Sequence, residues 1–250
     1  MFDTTEMLSE VKRQLAVDLN CAVHDFDGEK DGIVFIDYKQ NPGRRPFPRG
    51  GSHFEMLSLG QSIIVSATPE IMEIVKPQLI GKSRDEAFSM PFIYGCGVYF
   101  LPDLVAIKEI TAPKLFEFET VERRNIPSLY SDSGFQNALQ YDADHPRPDA
   151  LAVVAKSYGR TVGIAGASAD CEKMWQVGID VLTEFRGQNI AVYLVNRLTL
   201  EILRRGIIPY YGTAVSNIAS QRVAHRAGYA PSWICSYKGV FDGADVLPAT

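Results

Sequence analysis

The first hundred residues show short apolar patterns of two kinds. Apolar positions recur at helical spacing over residues 5–20, with charged residues between them, which predicts a surface helix. Apolar runs at 32–37 and 61–67 predict strands. The segment 41–51 between them is rich in proline, glycine and arginine, which favours a loop. A proline then favours the first turn of a helix over 69–79.

The pattern becomes regular in the second half of the chain. After a buried strand predicted over 92–100, a strand at 115–121 begins a new series. Two apolar runs, 150–157 and 161–167, are separated by a short turn and predict an antiparallel meander. Residues 175–181 alternate with period two, as is typical of a strand with two different faces.

The period changes to that of a helix at Ile190. Apolar residues form one stripe from there to the basic and glycine residues that end at Gly206. A strand follows at 207–214, then a helix over 216–227 with Ser216 as its predicted N-cap. The last predicted element is a strand over 229–237.

The change of pattern near Ala112-Pro113 predicts two domains. We expect a mixed α/β domain over 1–112 and a second domain over 113–250, so the fold class is α/β (α+β). The 250 residues are 46% hydrophobic and 22% charged, an ordinary globular composition. A chain of this size can bury about 70–75% of its unfolded surface, so it needs no disulfide or metal for stability.

Charge and cysteine content exclude several classes of partner. The net charge of −5 gives no electrostatic reason to bind nucleic acid or an anionic membrane. Charge-free stretches fall short of the roughly 18 apolar residues of a membrane helix, and the first residues carry acid where a secretory signal carries base. We therefore expect a cytoplasmic protein. The four cysteines form no Cys-x-x-Cys pair, which predicts buried reduced thiols and no metal site.

A candidate anion-binding turn lies between the strand that ends at Val181 and the helix that begins at Ile190. A helix entered through small or flexible residues presents unpaired N–H groups and the positive end of its dipole, which suit a pyrophosphate. A glycine at such a position, here Gly187, is also typical of a plain turn. Both interpretations stay open on geometry alone.

The order of elements over about residues 114–250 resembles the coenzyme-A-binding core of the GNAT superfamily of N-acetyltransferases. In that superfamily the phosphate turn reads Gln or Arg, two residues, Gly, one residue, then Gly or Ala. Arg186, Asn189 and Ala191 stand at those places. Asn189 replaces the middle glycine, and asparagine tolerates left-handed backbone angles better than most residues.

A second match lies at Ser216–Ser220, which resembles the superfamily's junction between strand five and helix four. The resemblance implies that Asn217 bonds the pantetheine arm and that Ser220 lies beside it. It implies acetyl-CoA as cosubstrate, held by Val181, Leu182, Arg186, Gly187, Gln188, Asn189, Ile190, Ala191, Asn217 and Ser220.

The run from Pro148 through 163–170 to 216–221 is also similar to a narrower branch, the zwittermicin-resistance-like acetyltransferases, which carry an extra amino-terminal domain. The resemblance implies a mixed sheet splayed between strands four and five. The thioester would lie in the gap, and the primary amine of a small molecule would attack it directly. The predicted activity is therefore acetyl-CoA-dependent N-acetyl transfer.

Acid–base groups are scarce where the superfamily places them. An amine with a pKa of about 10.4 must lose a proton before it attacks, but Trp175 and Val177 occupy the usual positions of the base. Asp180 and Asp170 are the nearest carboxylates. Asp180 alternatively lies on a solvated strand face, and Asp170 alternatively forms a turn.

The usual acid is also replaced, because Ala224 stands where the superfamily places a tyrosine on helix four. We predict Asp180 as base and the neighbouring His225 as acid, although a lone helical histidine is often simply exposed. Tyr210 and Tyr211 point to opposite faces of their strand, so one of them can reach the cleft or pack in the core.

The non-titrating residues at these positions leave a second hypothesis open. The fold would then be kept as a non-catalytic module that binds acyl-CoA and regulates another process. A turnover assay with a panel of amines distinguishes the two hypotheses.

Overall fold

A computed structural model describes residues 2–46, 52–241 and 244–246 of the chain. Its helices in chain order are α1 (Thr4–Leu19), α2 (Pro69–Leu79), α3 (Arg84–Phe88), α4 (Ile190–Arg204) and α5 (Ile218–Arg226). Its strands are β1 (Ile33–Asp37), β2 (Phe54–Ser58), β3 (Ile63–Ala67), β4 (Ile93–Pro102), β5 (Glu117–Glu122), β6 (Asp149–Ser157), β7 (Arg160–Ala169), β8 (Met174–Val181), β9 (Ile208–Ala214), β10 (Tyr229–Phe241) and β11 (Ala244–Val246). Short 3-10 helices lie at Val23–Asp27, Arg123–Ser131 and Thr183–Phe185.

The chain forms two compact units. The larger unit comprises the residues up to Met7, Phe100–Thr213 and Asn217–Pro231, and the smaller unit comprises Leu8–Tyr99, Ala214–Ser216 and the residues from Ser232 onward. Residues 100–112, which the sequence analysis assigns to the first domain, therefore lie in the larger unit. The boundary at residues 112–113 between two independently folding domains stays a prediction.

The smaller unit is a mixed α/β structure. β1 pairs with β3 in parallel, while β2 pairs antiparallel with β3 and with β10 at Leu57–Cys235. The predicted helices at 5–20 and 69–79 and the predicted strands at 32–37 and 61–67 are confirmed within two residues. The apolar faces of β2, β3 and α2 form its core from Met56, Ile63, Val65, Ile71, Val75 and Leu79. Of the predicted loop, residues 47–51 lie outside the described residues.

The larger unit contains the predicted meander. β5, β6, β7 and β8 pair antiparallel in sequence order, and β9 pairs in parallel with β8. The turn between β6 and β7 uses left-handed angles at Tyr158 and Gly159. The apolar stripe of α4 packs on this sheet, since a Cβ at Gly163 would contact Ile190 and Leu194 at 3.2 Å. The mixed sheet flanked by helices confirms the predicted fold class.

A buried asparagine joins α4 to residues 103–110 of the larger unit. Asn196 is 1% exposed, and its Nδ2 donates to the carbonyl oxygens of Lys108 and Ala227 at 3.0 and 2.9 Å. Its Oδ1 accepts from the N–H of Ile110 at 3.2 Å. A buried amide with three partners is a stabilising contact, because leaving it unpaired would cost about 1–3 kcal/mol.

The thiols differ from expectation in their exposure. All four cysteines are reduced, but only Cys235 is buried and the other three are half-buried. The prediction of burial is therefore wrong for those three. Within the described residues, no helix has the length and apolar character to cross a bilayer.

Candidate functional site

The parallel pairing of β8 and β9 stops before either strand ends. The register runs from Met174–Ile208 to Val177–Tyr211, and both strands continue beyond that last pair. Because the strands diverge there, a cavity of about 620 Å³ opens between them. The predicted splay of the sheet is thus present in the larger unit.

The walls of the cavity come from five parts of the larger unit. They are Asn137, residues 176–181 of β8, the turn and first residues of α4, residues 211–213 of β9, and α5. Among the described residues that line it, Asp180 is the only carboxylate and Arg186 and Arg226 are the only cations. The cavity therefore offers both charges to a ligand.

The turn before α4 has the geometry of an anion site. Gly187 and Asn189 have φ angles of 80° and 62°, and Asn189 is the N-cap of α4 in the left-handed region. The first helical bond runs from the N–H of Tyr193 to the carbonyl of Asn189 at 3.1 Å. By helix geometry the N–H groups of residues 190–192 then lack a carbonyl one turn earlier. Arg186 supports the turn by donating from Nε to Val181 O at 3.1 Å.

The structure brings most of the predicted CoA-binding residues to the cavity. Seven of them line it: Val181, Arg186, Gly187, Asn189, Ala191, Asn217 and Ser220. Three do not, for different reasons. Ile190 is buried under the sheet, Leu182 packs against a neighbouring apolar cluster, and Gln188 is exposed.

The start of α5 differs from the prediction. Asn217, not Ser216, is the N-cap, because its Oδ1 accepts from the N–H of Ser220 at 3.1 Å. An asparagine side chain suits this position since it satisfies one of the unpaired donors of the first turn. The hydroxyl of Ser220 takes no part in this cap and lies 2.7 Å from the Tyr211 hydroxyl.

Tyr211 is the tyrosine of β9 that reaches the cavity. Its ring is 2% exposed and contacts the rings of Phe100 and Tyr229 at centroid distances of 6.4 and 6.0 Å. Burial raises the pKa of the phenol above its ordinary value. Tyr211 therefore keeps its proton at neutral pH. Tyr210 points to the other face, where its hydroxyl donates to Asp170.

The two candidate carboxylates have different surroundings. Asp180 lines the cavity, and its Oδ2 and Oδ1 accept from the N–H and Nδ2 of Asn137, each at 2.7 Å. Asp170 is 3% exposed and also accepts from Ser168 Oγ at 2.7 Å. It does not line the cavity. Asp170 is thus more than a turn former, and it is buried away from the reaction space.

His225, the predicted acid, is exposed on α5 and is not among the residues that line the cavity. Of the positions usual for the base, Val177 lies on the wall and Trp175 is half-buried away from it. Sequence reasoning missed Asn137 and Arg226. Asn137 lies in an irregular turn with no periodic signal, and Arg226 is indistinguishable in sequence from the exposed basic residues of its helix.

Comparison with known proteins finds one family model that matches the segment carrying this cavity. Residues 135–236, less than half of the chain, match the family model described as GNAT acetyltransferase. Every residue that lines the cavity falls inside that segment. The segment that forms the cavity is therefore similar to that family. A search of curated proteins finds no match to the chain.

Solved structures similar to the chain include three acetyltransferases or proteins like them. A GCN5-related N-acetyltransferase-like protein from Streptococcus suis shares 15% identity over 71% of this chain and 71% of its own, with a TM-score of 0.42. An acetyltransferase from Colwellia psychrerythraea shares 15% over 57% and 55%, with a TM-score of 0.43, so the chain spans little more than half of it. An aminoglycoside N-acetyltransferase in complex with CoA shares 18% over 49% and 93%, with a TM-score of 0.35.

Proposed function

We propose that this protein transfers an acetyl group from acetyl-CoA to the primary amine of a small molecule by direct attack on the thioester. The observation that carries the proposal is the cavity between the diverging ends of β8 and β9, which reaches the left-handed turn before α4. The match of this segment to the GNAT acetyltransferase family supports it. We also propose the zwittermicin-resistance-like branch and a cytoplasmic location, on the sequence features above.

The residues of the turn fit the anionic end of CoA. A Cβ at Gly187 would have nothing within 4 Å, so the backbone there is open to a bulky group. The N–H groups of residues 190–192 and the positive end of the α4 dipole favour a diphosphate. Arg186 adds a positive charge beside them. Beyond Val177, β8 stays paired with β7, but its opposite edge no longer pairs with β9 and can offer peptide groups to the amides of a pantetheine arm.

The chain's own groups can move the two protons that the reaction needs. When bound, the thioester supplies an activated acyl carbon and a sulfur leaving group. Asp180 is our candidate for accepting the proton of the amine, because it is the only carboxylate on the cavity wall within the described residues. Each of its oxygens holds one bond from Asn137 and has a further lone pair.

Tyr211 is better placed than His225 to return a proton to the sulfur. Tyr211 lines the cavity and its hydroxyl lies 2.7 Å from Ser220 Oγ, whereas His225 is exposed and does not line the cavity. The raised pKa of the phenol keeps the proton available at neutral pH. Ser220 can relay a replacement proton to Tyr211 Oη after each turnover.

Binding and turnover measured together test this proposal. Acetyl-CoA should raise the melting temperature, since a ligand at 100 times its Kd contributes about 2.7 kcal/mol. Ala191→Glu should abolish the shift, because it places a carboxylate in the turn against the phosphates. Ala143→Glu is the matched control, since it makes the same substitution at an exposed position that does not line the cavity.

Turnover separates the two hypotheses about function. Release of CoA with at least one amine of a broad panel supports the enzyme. Tight binding of acetyl-CoA without turnover on any amine supports the regulatory module instead. A wild-type melting curve that saturating acetyl-CoA leaves unmoved contradicts both.

A further inference from the structure

We propose that Arg226 is a diphosphate-binding residue of the CoA site, supplied by α5 rather than by the turn before α4. The inference rests on the proposed function and adds a residue that the turn motif does not contain. Arg226 is the last residue of α5 and lines the same cavity as the turn.

A direct contact brings the guanidinium of Arg226 to the turn. One of its terminal nitrogens donates to Asn189 Oδ1 at 2.7 Å. Asn189 immediately precedes α4, so this contact holds the guanidinium beside the first turn of that helix. A guanidinium has five N–H donors, and the bond to Asn189 uses one of them. The others remain for a phosphate at the same place.

The contact also explains how asparagine can replace glycine in the turn. Asn189 has a φ of 62° and makes no capping bond through its side chain. Its amide oxygen is instead directed to Arg226. Because the amide is held by α5, it does not compete with a ligand for the N–H groups of the first turn of α4. The side chain of Asn189 therefore holds Arg226 and does not block the proposed phosphate site.

The charges of the cavity make a second cation useful. A diphosphate carries two negative charges, and Arg186 uses its Nε to hold Val181 O. Arg226 is the other cation on the wall within the described residues. A planar guanidinium fork matches the geometry of a phosphate and gives charge-assisted bonds.

Calorimetric titration of three ligands into three proteins tests the assignment. The ligands are CoA, 3′-dephospho-CoA and pantetheine, and the full-length proteins are the wild type, Arg226→Gln and Arg222→Gln. Arg222 is exposed on the same helix and does not line the cavity, so it controls for the loss of charge. We expect Arg226→Gln to weaken binding of CoA and dephospho-CoA by about tenfold or more. Arg222→Gln should bind all three ligands as the wild type does.

The ligand series identifies the group that Arg226 contacts. An equal loss for CoA and dephospho-CoA, with pantetheine unaffected, supports contact with the diphosphate. A loss that disappears with dephospho-CoA would assign Arg226 to the 3′-phosphate and overturn the proposal. Equal affinities of Arg226→Gln and Arg222→Gln for CoA would overturn it while leaving the proposed function intact. A wild type that does not bind CoA would overturn both.

Discussion

The carbonyl oxygen of Asn137 approaches Gly178 so closely that a Cβ on that glycine would lie 1.7 Å from it. The cross-strand partner of Gly178 is Gly166, where a Cβ would lie 1.8 Å from the carbonyl oxygen of Ala138. Because neither glycine has a side chain, the backbone of the turn at 137–138 packs directly against the sheet at these two positions. This packing places Asn137 where it bonds Asp180 at the cavity.

We predict that Gly178→Ala destabilises the protein by at least about 2 kcal/mol, because backbone atoms cannot move away as side chains can. Gly163→Ala is the control in the same sheet. Its Cβ would meet only side-chain atoms, at 3.2 Å, so we expect a cost of about 1 kcal/mol. Urea denaturation of both variants measures the difference. Equal free energies of unfolding would contradict the close packing of the 137–138 turn.

The hydroxyl of Tyr211 should matter for turnover more than for folding. If it returns a proton to the leaving sulfur, Tyr211→Phe should lower kcat by about 10²–10⁴-fold. Tyr229→Phe is the matched control, because Tyr229 bonds Thr199 Oγ1 at 2.7 Å and does not line the cavity. Its kcat should stay within a few fold of the wild type. Steady-state kinetics with acetyl-CoA and an accepted amine measures both.

The leaving group provides a second test of Tyr211. An aryl thioester needs little help from an acid, since its thiolate is already stable, so the defect of Tyr211→Phe should shrink with that substrate. A defect of equal size with both thioesters would contradict the acid role.

The raised pKa of Tyr211 also predicts the pH dependence of stability. The phenol of the unfolded chain ionises near pH 10 while that of the folded chain does not, so the free energy of unfolding falls as pH rises above about 10. Tyr211→Phe should reduce that fall.

Asp180 can act as a base, as an anchor for Asn137, or as both. If it is the base, Asp180→Asn should lower kcat by about 10²–10⁴-fold. Asn137→Ala separates the roles, because it removes the Nδ2 donor and leaves the carboxylate in place. We expect this variant to keep kcat within a few fold and to lose about 1 kcal/mol of stability. Equal losses of kcat in the two variants, measured alongside urea denaturation, would exclude the base role.

The contacts of Asn196 predict where a fragment must begin. A fragment from Pro113 to the end of the chain lacks Lys108 and Ile110, and so leaves two of the bonds of this buried amide unmade. A fragment that begins at Phe100 keeps them. We expect the longer fragment to be more stable by about 2 kcal/mol or more. Equal denaturation midpoints would support the boundary at residues 112–113.

Much of the larger unit follows from local patterns. The apolar stripe from Ile190 predicts α4 within two residues of its observed end, because a long amphipathic period is a strong signal. Asparagine tolerates left-handed backbone angles, and Asn189 adopts them in the structure. In the smaller unit, the strand β2 has no counterpart among the predicted elements, although its five residues are mostly buried. A short strand has too few residues to show a period by itself.

By itself the sequence determined the type and order of the main elements, since helical and strand periods are local properties that neighbouring residues decide. It also marked the turn before α4 and two candidate carboxylates, of which Asp180 lies on the strand that precedes the turn. Only the tertiary structure decided that the pairing of β8 and β9 ends at Val177, that Tyr211 and not Tyr210 lines the gap, and that Arg226 bonds Asn189. These relations join residues far apart in the chain, and they depend on strand register and on which side of the sheet each helix packs. No local period carries that information.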